Sequence, residues 1–516
     1  MLVPQKAIHP ASESKELTKT DELGPIEVDT YNGKLTIEWD PEAKVTPIGQ
    51  LPFFIQFLKL GGRLDPWIQE CPLTYLSNNA PNKRNVLGSL FLAILSGHTR
   101  YAHLATLMSD NVNAKLLGMT KIVSTDSARR SLKKMEEDKA IMWCQRHLQQ
   151  SYSVLLATDW ILDVDATVKT LYGKQEGAVV GYNPKKRGRP SHVYHTYLVA
   201  NLRLVLDVQV NPGNESQSSH GLPGLLNLLE RLPKSCLPAF VRGDCDYGNN
   251  EIMQALEARE INYLFKLKKS KRVKELICKQ HCLGQWTRFN DGFEVKEAEV
   301  QLMGWNQARR VVLVRRKLLS LPLVAIDYEQ CGQQTLAFID GPEDMRAYEY
   351  AVLVTNLNDD IVSLLKHYRD RADCENYFDE IKNQWGWGGF TTKDLKSCRI
   401  MALMIALIYN WWTLFARCVN PDNHMEAITS RPLLLSSIGK LTQSGRQQKM
   451  TITSQHNKAN TIKKLFYQLG EFFNQIKAKA KQLTVEERWF LILQRAMAKF
   501  ILKRAQAPPL SLPASC

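Results

Sequence analysis

The chain has 516 residues, is 44% hydrophobic and 23% charged, and carries a net charge of +15 with a pI near 9.2. This composition excludes a disordered or fibrous chain, and the length fits about two to four packed units. The 11 cysteines form no C-x-x-C pair, which argues against a disulfide framework or thiolate zinc site and fits reduced thiols in the cytosol.

The polar opening MLVPQKAIHPASESKELTKTDELG has no apolar signal segment, and residues 1–30 read as a mobile tail. Residues 31–150 read as a mainly helical, DNA-binding region after a short strand at Lys34–Trp39. Ser124 is placed to cap a helix whose first turns carry Arg129, Arg130, Lys133 and Lys134. Cations there oppose the helix dipole, so a DNA phosphate partner would account for them; a basic-surfaced bundle would account for them equally.

From Ser153 the pattern changes to strands, beginning with VLLATDWILDVDATVK, then His195–Asn201 and Leu204–Val210. A helix over Gly221–Leu232, a buried strand over Leu237–Asp244, a helix over Asn250–Glu260 and a strand over Asn262–Lys268 follow. Three strands followed by alternating helix and strand predict an α/β layer over 151–268 that resumes over 346–420. The intervening 269–345 reads as a β-rich insertion subdomain, with GQWTRFNDGFEVKEAEVQLMGW, ARRVVLVRRK and QTLAFID as strands. Ile400–Ala416 is an uncharged run of 17 residues containing Asn410, short for a membrane span, and reads as a buried core helix. Residues 421–516 read as a basic helical region: 15 Lys and Arg stand against 5 Asp and Glu, so +10 of the +15 lies there. A concentration of charge of this kind points to a polyanionic partner.

The most distinctive segment is Tyr368–Lys382, predicted as one helix. At about 100° per residue, with Arg371 at zero, Lys382 falls near 20°, Glu375 near 40° and Tyr368 near 60°. Phe378, Cys374, Ile381 and Tyr377 form an apolar stripe beside them that can dock on a core. A carboxylate flanked by cations suits a metal-binding acid in a phosphate-crowded site. Two further acids stand at strand ends. Alternation places Asp163, Asp165 and Thr167 on one strand face, and Asp244 and Asp246 follow the apolar strand VRG. Strand pattern alone does not choose between Asp163 and Asp165, or between Asp244 and Asp246.

The Tyr368–Lys382 spacing resembles, without gaps, the Y-x2-R-x3-E-x6-K signature of DDE transposases of bacterial insertion sequences. The resemblance spans roughly residues 155–415, and the GYNPKKRGRPS loop is similar to one branch of that group. It implies an RNase H-like mixed sheet interrupted by the β-rich insertion and flanked by helical regions. It implies Asp165, Asp244 and Glu375 as catalytic residues and ligands of two Mg²⁺ ions, with Mn²⁺ substituting. It departs from the family in reading G-D-C-D-Y-G around the second acid, which leaves Asp246 as a rival. The partners it implies are double-stranded DNA, both element ends and target, and a second copy of the chain in the end complex. Tyr368, Arg371 and Lys382 would contact DNA. No membrane and no nucleotide cofactor are expected; no G-x-x-x-x-G-K-[ST] occurs. The expected location is the bacterial cytoplasm, at the nucleoid.

The loop residues Lys185, Lys186, Arg187 and Arg189 are further DNA-binding candidates. Their R-G-R-P core resembles a minor-groove AT-hook, but a basic hairpin on phosphates is favoured. Trp286 and Trp305 fit base stacking or, more simply, a β core. His192, His195 and His220 read as structural. Two other functions stay open: a non-catalytic regulator derived from a transposase, and a general RNase H-like nuclease.

Overall fold

The structure, a computed structural model, describes residues 24–498 except 158, 216, 290, 291, 319–344, 346, 423 and 454–457. The expected strand QTLAFID, most of the expected N-terminal tail and residues 499–516 lie outside the described residues. The chain divides into two compact units, before and after Lys44. In the first, β1 (Ile26–Thr30) pairs with β2 (Gly33–Ile37) in an antiparallel hairpin. Ile26 and Val28 lie opposite Ile37 and Leu35 on one face, with Glu27 and Asp29 opposite Thr36 and Lys34 on the other. Residues 26–30, expected within the tail, are therefore a strand.

The second unit opens with β3 (Val45–Thr46) and seven helices. These are α1 (Leu51–Leu60), α2 (Leu64–Gln69), α3 (Lys83–Leu95), α4 (Leu104–Leu107), α5 (Asn111–Leu116), α6 (Thr125–Lys134) and α7 (Glu137–Tyr152). Ser124 caps α6 as expected, accepting from Ser127 N at 3.3 Å, and Ala128 and Leu132 face the core.

Among the described residues the central sheet has ten strands. In chain order they are β4 (Ile161–Thr170), β5 (Val179–Val180), β6 (Pro190–Val199), β7 (Leu204–Pro212), β8 (Phe240–Gly243) and β9 (Asn262–Lys266), then β10 (Thr287–Arg288), β11 (Phe293–Val300), β12 (Arg309–Lys317) and β13 (Tyr348–Thr355). The helices α8 (Gln217–Arg231), α9 (Asn250–Glu257) and α10 (Lys271–Cys282) fall between them. Five strands run in the order β7-β6-β4-β8-β9, antiparallel from β7 to β4 and parallel from β4 to β9. The sheet then continues antiparallel through β13, β12, β11 and β10. The strands described between 269 and 345 thus extend the central sheet and make no separate one. Their pairing is non-local, so nothing in the local pattern could announce it.

Next come α11 (Ile361–Arg369), α12 (Ala372–Asn383), α13 (Leu395–Val419) and α14 (Ala427–Leu434). The single helix expected over Tyr368–Lys382 is broken at Asp370–Arg371, where Arg371 becomes the N-cap of α12. Tyr368 therefore sits in the last turn of α11, ahead of Glu375 and Lys382 on α12, although Asp370 and Arg371 between the two helices keep right-handed helical backbone. The apolar stripe carries through: Cys374, Tyr377 and Ile381 are buried. The apolar run lies in α13, which is long and apolar enough to cross a membrane but is 94% buried inside the protein over its most apolar window. Asn410 explains how a polar side chain sits there. Its amide accepts from Val205 N (2.9 Å) and donates to Val205 O (2.8 Å), clamping α13 to β7.

The region after residue 420 is not wholly helical. Between α14 and the last helices, α15 (Ala459–Ala478) and α16 (Val485–Ala496), lies an antiparallel hairpin, β14 (Gly439–Ser444) with β15 (Gln447–Ile452), joined to β3.

Candidate active site

On β4, Leu162 and Val164 are buried in the core while Asp163, Asp165 and Thr167 share the other face, as alternation requires. The two aspartates have different surroundings. Asp163 is 1% exposed and held by Arg242, its partner across the parallel β4–β8 ladder. Arg242 donates from Nε to Oδ1 (2.5 Å) and from Nη2 to Oδ2 (2.9 Å), and Ala200 N adds a bond at 3.2 Å. That carboxylate is fully committed to structure.

Asp165 faces a different cation. Its Oδ1 accepts from Ala166 N (2.8 Å), and its Oδ2 accepts from Nη2 of Arg371. Burial pushes its carboxyl up to about 7, against the pull of Arg371, and neighbouring Asp244 raises it further. Val164 and Gly243 are register partners, so Asp165 and Asp244 are the next residues along adjacent parallel strands. Asp244 is also raised by burial and lowered by Arg371. Its Oδ1 accepts from Asp246 N (2.9 Å), while the Asp246 carboxylate is taken by Lys268 at 2.6 Å. Asp163 and Asp246 thus have dedicated basic partners, while Asp165 is paired with Arg371, whose charge also acts on Asp244.

Tyr368 belongs to the same cluster. Burial pushes its phenol up to about 12, with Arg371 lowering it and Asp244 and Asp165 raising it. Glu375 does not join. It is exposed on the first turn of α12, and among the described residues no three His, Cys, Asp or Glu side chains gather closely enough to hold a metal ion. The donors fit a hard divalent cation in chemistry, being all oxygen. They do not fit in arrangement, because Arg371 is paired with Asp165 and, among the described residues, no third carboxylate gathers with the two.

Further along β4, Lys382 donates to Thr167 Oγ1 and to Val168 O, each at 2.9 Å. Burial and then neighbouring Lys185 lower its ammonium to about 8, with Asp379 opposing. The signature lysine and the basic loop therefore converge. Asn183 Nδ2 anchors that loop on Thr170 Oγ1 (3.0 Å), and Lys186 and Arg189 stack over Tyr172 at 5.1 and 5.8 Å. Arg189 N bonds Lys186 O (3.2 Å) around Gly188 at φ +71°, so the loop is a closed turn with Lys185, Lys186, Arg187 and Arg189 exposed. That is the shape of the basic hairpin and not of an extended hook.

Sequence reasoning missed Lys169, the next same-face residue of β4. It is buried, donates to Gly389 O and to Tyr194 OH (3.5 Å), and is lowered to about 8 by burial. Continuing the 163–165–167 alternation by one step would have found it. Trp286 and Trp305 are half-buried, under Arg315 (4.3 Å) and Arg309 (5.1 Å), which matches the β-core reading. His192 bonds Glu176 O at 2.8 Å, and His195 is buried.

Asp165 in the middle of β4 and Asp244 just past the end of β8 thus lie side by side on adjacent parallel strands, with Tyr368, Arg371 and Lys382 around them. A family model described as transposase DDE domain group 1 matches residues 80–473, and the chain belongs to that family. A cryo-electron microscopy structure of the piggyBac transposase synaptic complex with hairpin DNA shares 11% identity with a TM-score of 0.38, over 91% of this chain and 87% of that one. Nothing further rests on so slight a likeness. No curated protein matches the chain.

Proposed function

We propose that this chain is the transposase of a bacterial insertion sequence, binding its own terminal inverted repeats and cutting and joining DNA by phosphoryl transfer. The observation that carries the reading is the pairing of Asp165 with Asp244 across adjacent parallel strands, sharing one cation. Two adjacent carboxylates, in a family of DDE transposases, are oxygen donors suited to a hard divalent ion, which would displace the protons that burial favours. The strand order β7-β6-β4-β8-β9, with its antiparallel and parallel halves, supports an RNase H-like core over 151–268 and 346–420.

DDE transposases generally use divalent metals, and Asp165, Asp244 and Glu375 are the proposed Mg²⁺ ligands, with Mn²⁺ as substitute. Reaching that arrangement requires Arg371 to release Asp165 and Glu375 to gather with the two aspartates. The chain's own contribution to substrate binding is electrostatic. Lys382 and Lys185, with Lys186, Arg187 and Arg189 beside them, would neutralise phosphates next to the cleaved bond. Tyr368 and Arg371 would contact the strand at the acids. Double-stranded element ends and target DNA are the proposed partners, a homodimer the acting form, and the bacterial cytoplasm its place. A second reading, a non-catalytic DNA-binding descendant of a transposase, is favoured by the exposure of Glu375 apart from the Asp165–Asp244 pair.

Purified protein incubated with a duplex of the DNA flanking its own gene distinguishes them. Mg²⁺-dependent nicking and joining, abolished by Asp165→Asn, Asp244→Asn and Glu375→Gln with binding retained, supports the enzyme. Binding without nicking supports the descendant. Cleavage of any duplex without joining would instead support a general nuclease.

A further inference from the structure

We propose that the β14–β15 hairpin is a sequence-reading ribbon that enters the major groove of the chain's own DNA ends; this rests on the transposase reading above. The hairpin is rooted in the second unit and exposed beyond its root. Gly439 and Lys440 pair with Thr46 and Val45 of β3. Ser437 accepts from Gly49 N (2.7 Å) and its hydroxyl donates to Thr453 O (2.8 Å). At Gly49 and Gly439 the backbones approach so closely that a Cβ on either would meet the other's Cα at 2.8 Å. Beyond that clasp, residues 442–449 are all exposed.

The turn is Gly445–Arg446, between the partners Ser444 and Gln447, with φ +57° at Gly445 and no positive φ at Arg446. Glycine at the first central position is what a tight two-residue hairpin of this kind needs. A two-stranded ribbon is marginal alone in water, and this one buries almost nothing past its root, so the core gives no reason for its length. Its chemistry does. Between Glu426 and Glu471 the sequence has no Asp or Glu and seven Lys or Arg. Among the described residues, no carboxylate pairs with Arg446 or Lys449. The exposed tip carries amides, hydroxyls and two cations and no apolar side chain, which disfavours a protein partner and matches an anionic, hydrogen-bonding one.

A major groove about 12 Å wide admits a two-stranded ribbon, whose glutamines can pair bidentately with adenine and whose arginine can pair with guanine. Gln443 and Gln448 are direct cross-strand partners on one face, and Thr442 with Lys449 and Ser444 with Gln447 occupy the other. The glutamine face can read base edges while Lys449 remains free for the backbone.

The test uses the full chain, a labelled duplex of the DNA flanking its gene, and a scrambled duplex of equal length. Gln443→Ala with Gln448→Ala keeps the charge and changes only exposed side chains, so the melting temperature should hold. The preference for end over scrambled DNA should fall about tenfold or more, with affinity for scrambled DNA unchanged. Replacing adenine by 7-deazaadenine in the end duplex removes the major-groove acceptor; it should weaken wild-type binding and add little in the double variant. A variant that discriminates as well as wild type, or that is weakened by 7-deazaadenine as much as wild type, overturns the ribbon. Wild-type protein that shows no preference for end DNA overturns the transposase reading itself.

Discussion

Arg371 donates to Asp165 across 206 positions of sequence, and the same guanidinium lowers the neighbouring Asp244. Two half-buried carboxylates thus lie under the influence of one cation at the place where a divalent ion is proposed. Opposite charge at this distance favours the ionised acids, while burial favours their protonated forms, and burial wins at both.

Arg371→Ala should therefore cost stability as well as activity, because it leaves two desolvated acids without their counter-charge. A loss of about 1–3 kcal/mol is expected from the hydrogen bond to a charged group alone. Calorimetry of the wild type and the variant with and without Mg²⁺ checks this. The ion should raise the melting temperature of the variant more than that of the wild type, because it no longer competes with the guanidinium. Equal melting temperatures without metal would mean that the pair does no more than an exposed ion pair.

The two aspartates of β4 should separate cleanly. Asp163→Asn removes half of a buried bidentate pair and strands Arg242, so a loss of about 3–5 kcal/mol is expected. Asp165→Asn removes a carboxylate whose pairing is already opposed by burial, so stability should change little while cleavage is lost. Melting temperature and cleavage per folded molecule, measured on both variants, check the assignment; inactive but fully stable Asp163→Asn would reverse it.

At the second acid the contrast is in exposure. Lys268, the partner of Asp246, is 60% exposed at its side chain, so Asp246→Asn should cost no more than about 1 kcal/mol and leave cleavage standing. Asp244→Asn should abolish cleavage. Gel assays of the two variants at one Mg²⁺ concentration are sufficient to distinguish them.

What could be read in advance was what local pattern encodes. Alternation on β4 put Asp163, Asp165 and Thr167 on one face, and the apolar run of α13 declared a core helix. The break at Asp370–Arg371 was not legible, because every residue there is compatible with a helix. What places Arg371 is Asp165, a partner far away in sequence. The β14–β15 hairpin was hidden in a polar basic run, although the turn residues Ser444-Gly445-Arg446 were its signal. The joining of β11 and β12 to the main sheet depends on non-local pairing, for which a single sequence carries no mark. The exposure of Glu375 was equally invisible, since the spacing of the signature says nothing of what packs against the first turn of α12.

Lys382 offers a test in pH. Its ammonium is lowered from 10.5 to about 8, chiefly by burial and then by Lys185. A lysine lowered in the folded state penalises folding fully below its folded value, and the penalty is relieved as pH rises from about 8 toward 10.5. Stability contributed by this group should therefore rise over that window. DNA affinity should move the other way: above pH 8 the free protein must take up a proton to present a charged Lys382 to phosphate, costing up to about tenfold per pH unit. Lys382→Arg stays charged throughout. Lys169, also lowered to about 8, is common to both proteins and cancels in the comparison. Binding to a flanking-DNA duplex should thus weaken more between pH 7 and pH 9 for wild type than for Lys382→Arg. Parallel pH profiles in the two proteins would show that Lys382 serves only to tie α12 to Thr167 and Val168, and has no part in holding DNA.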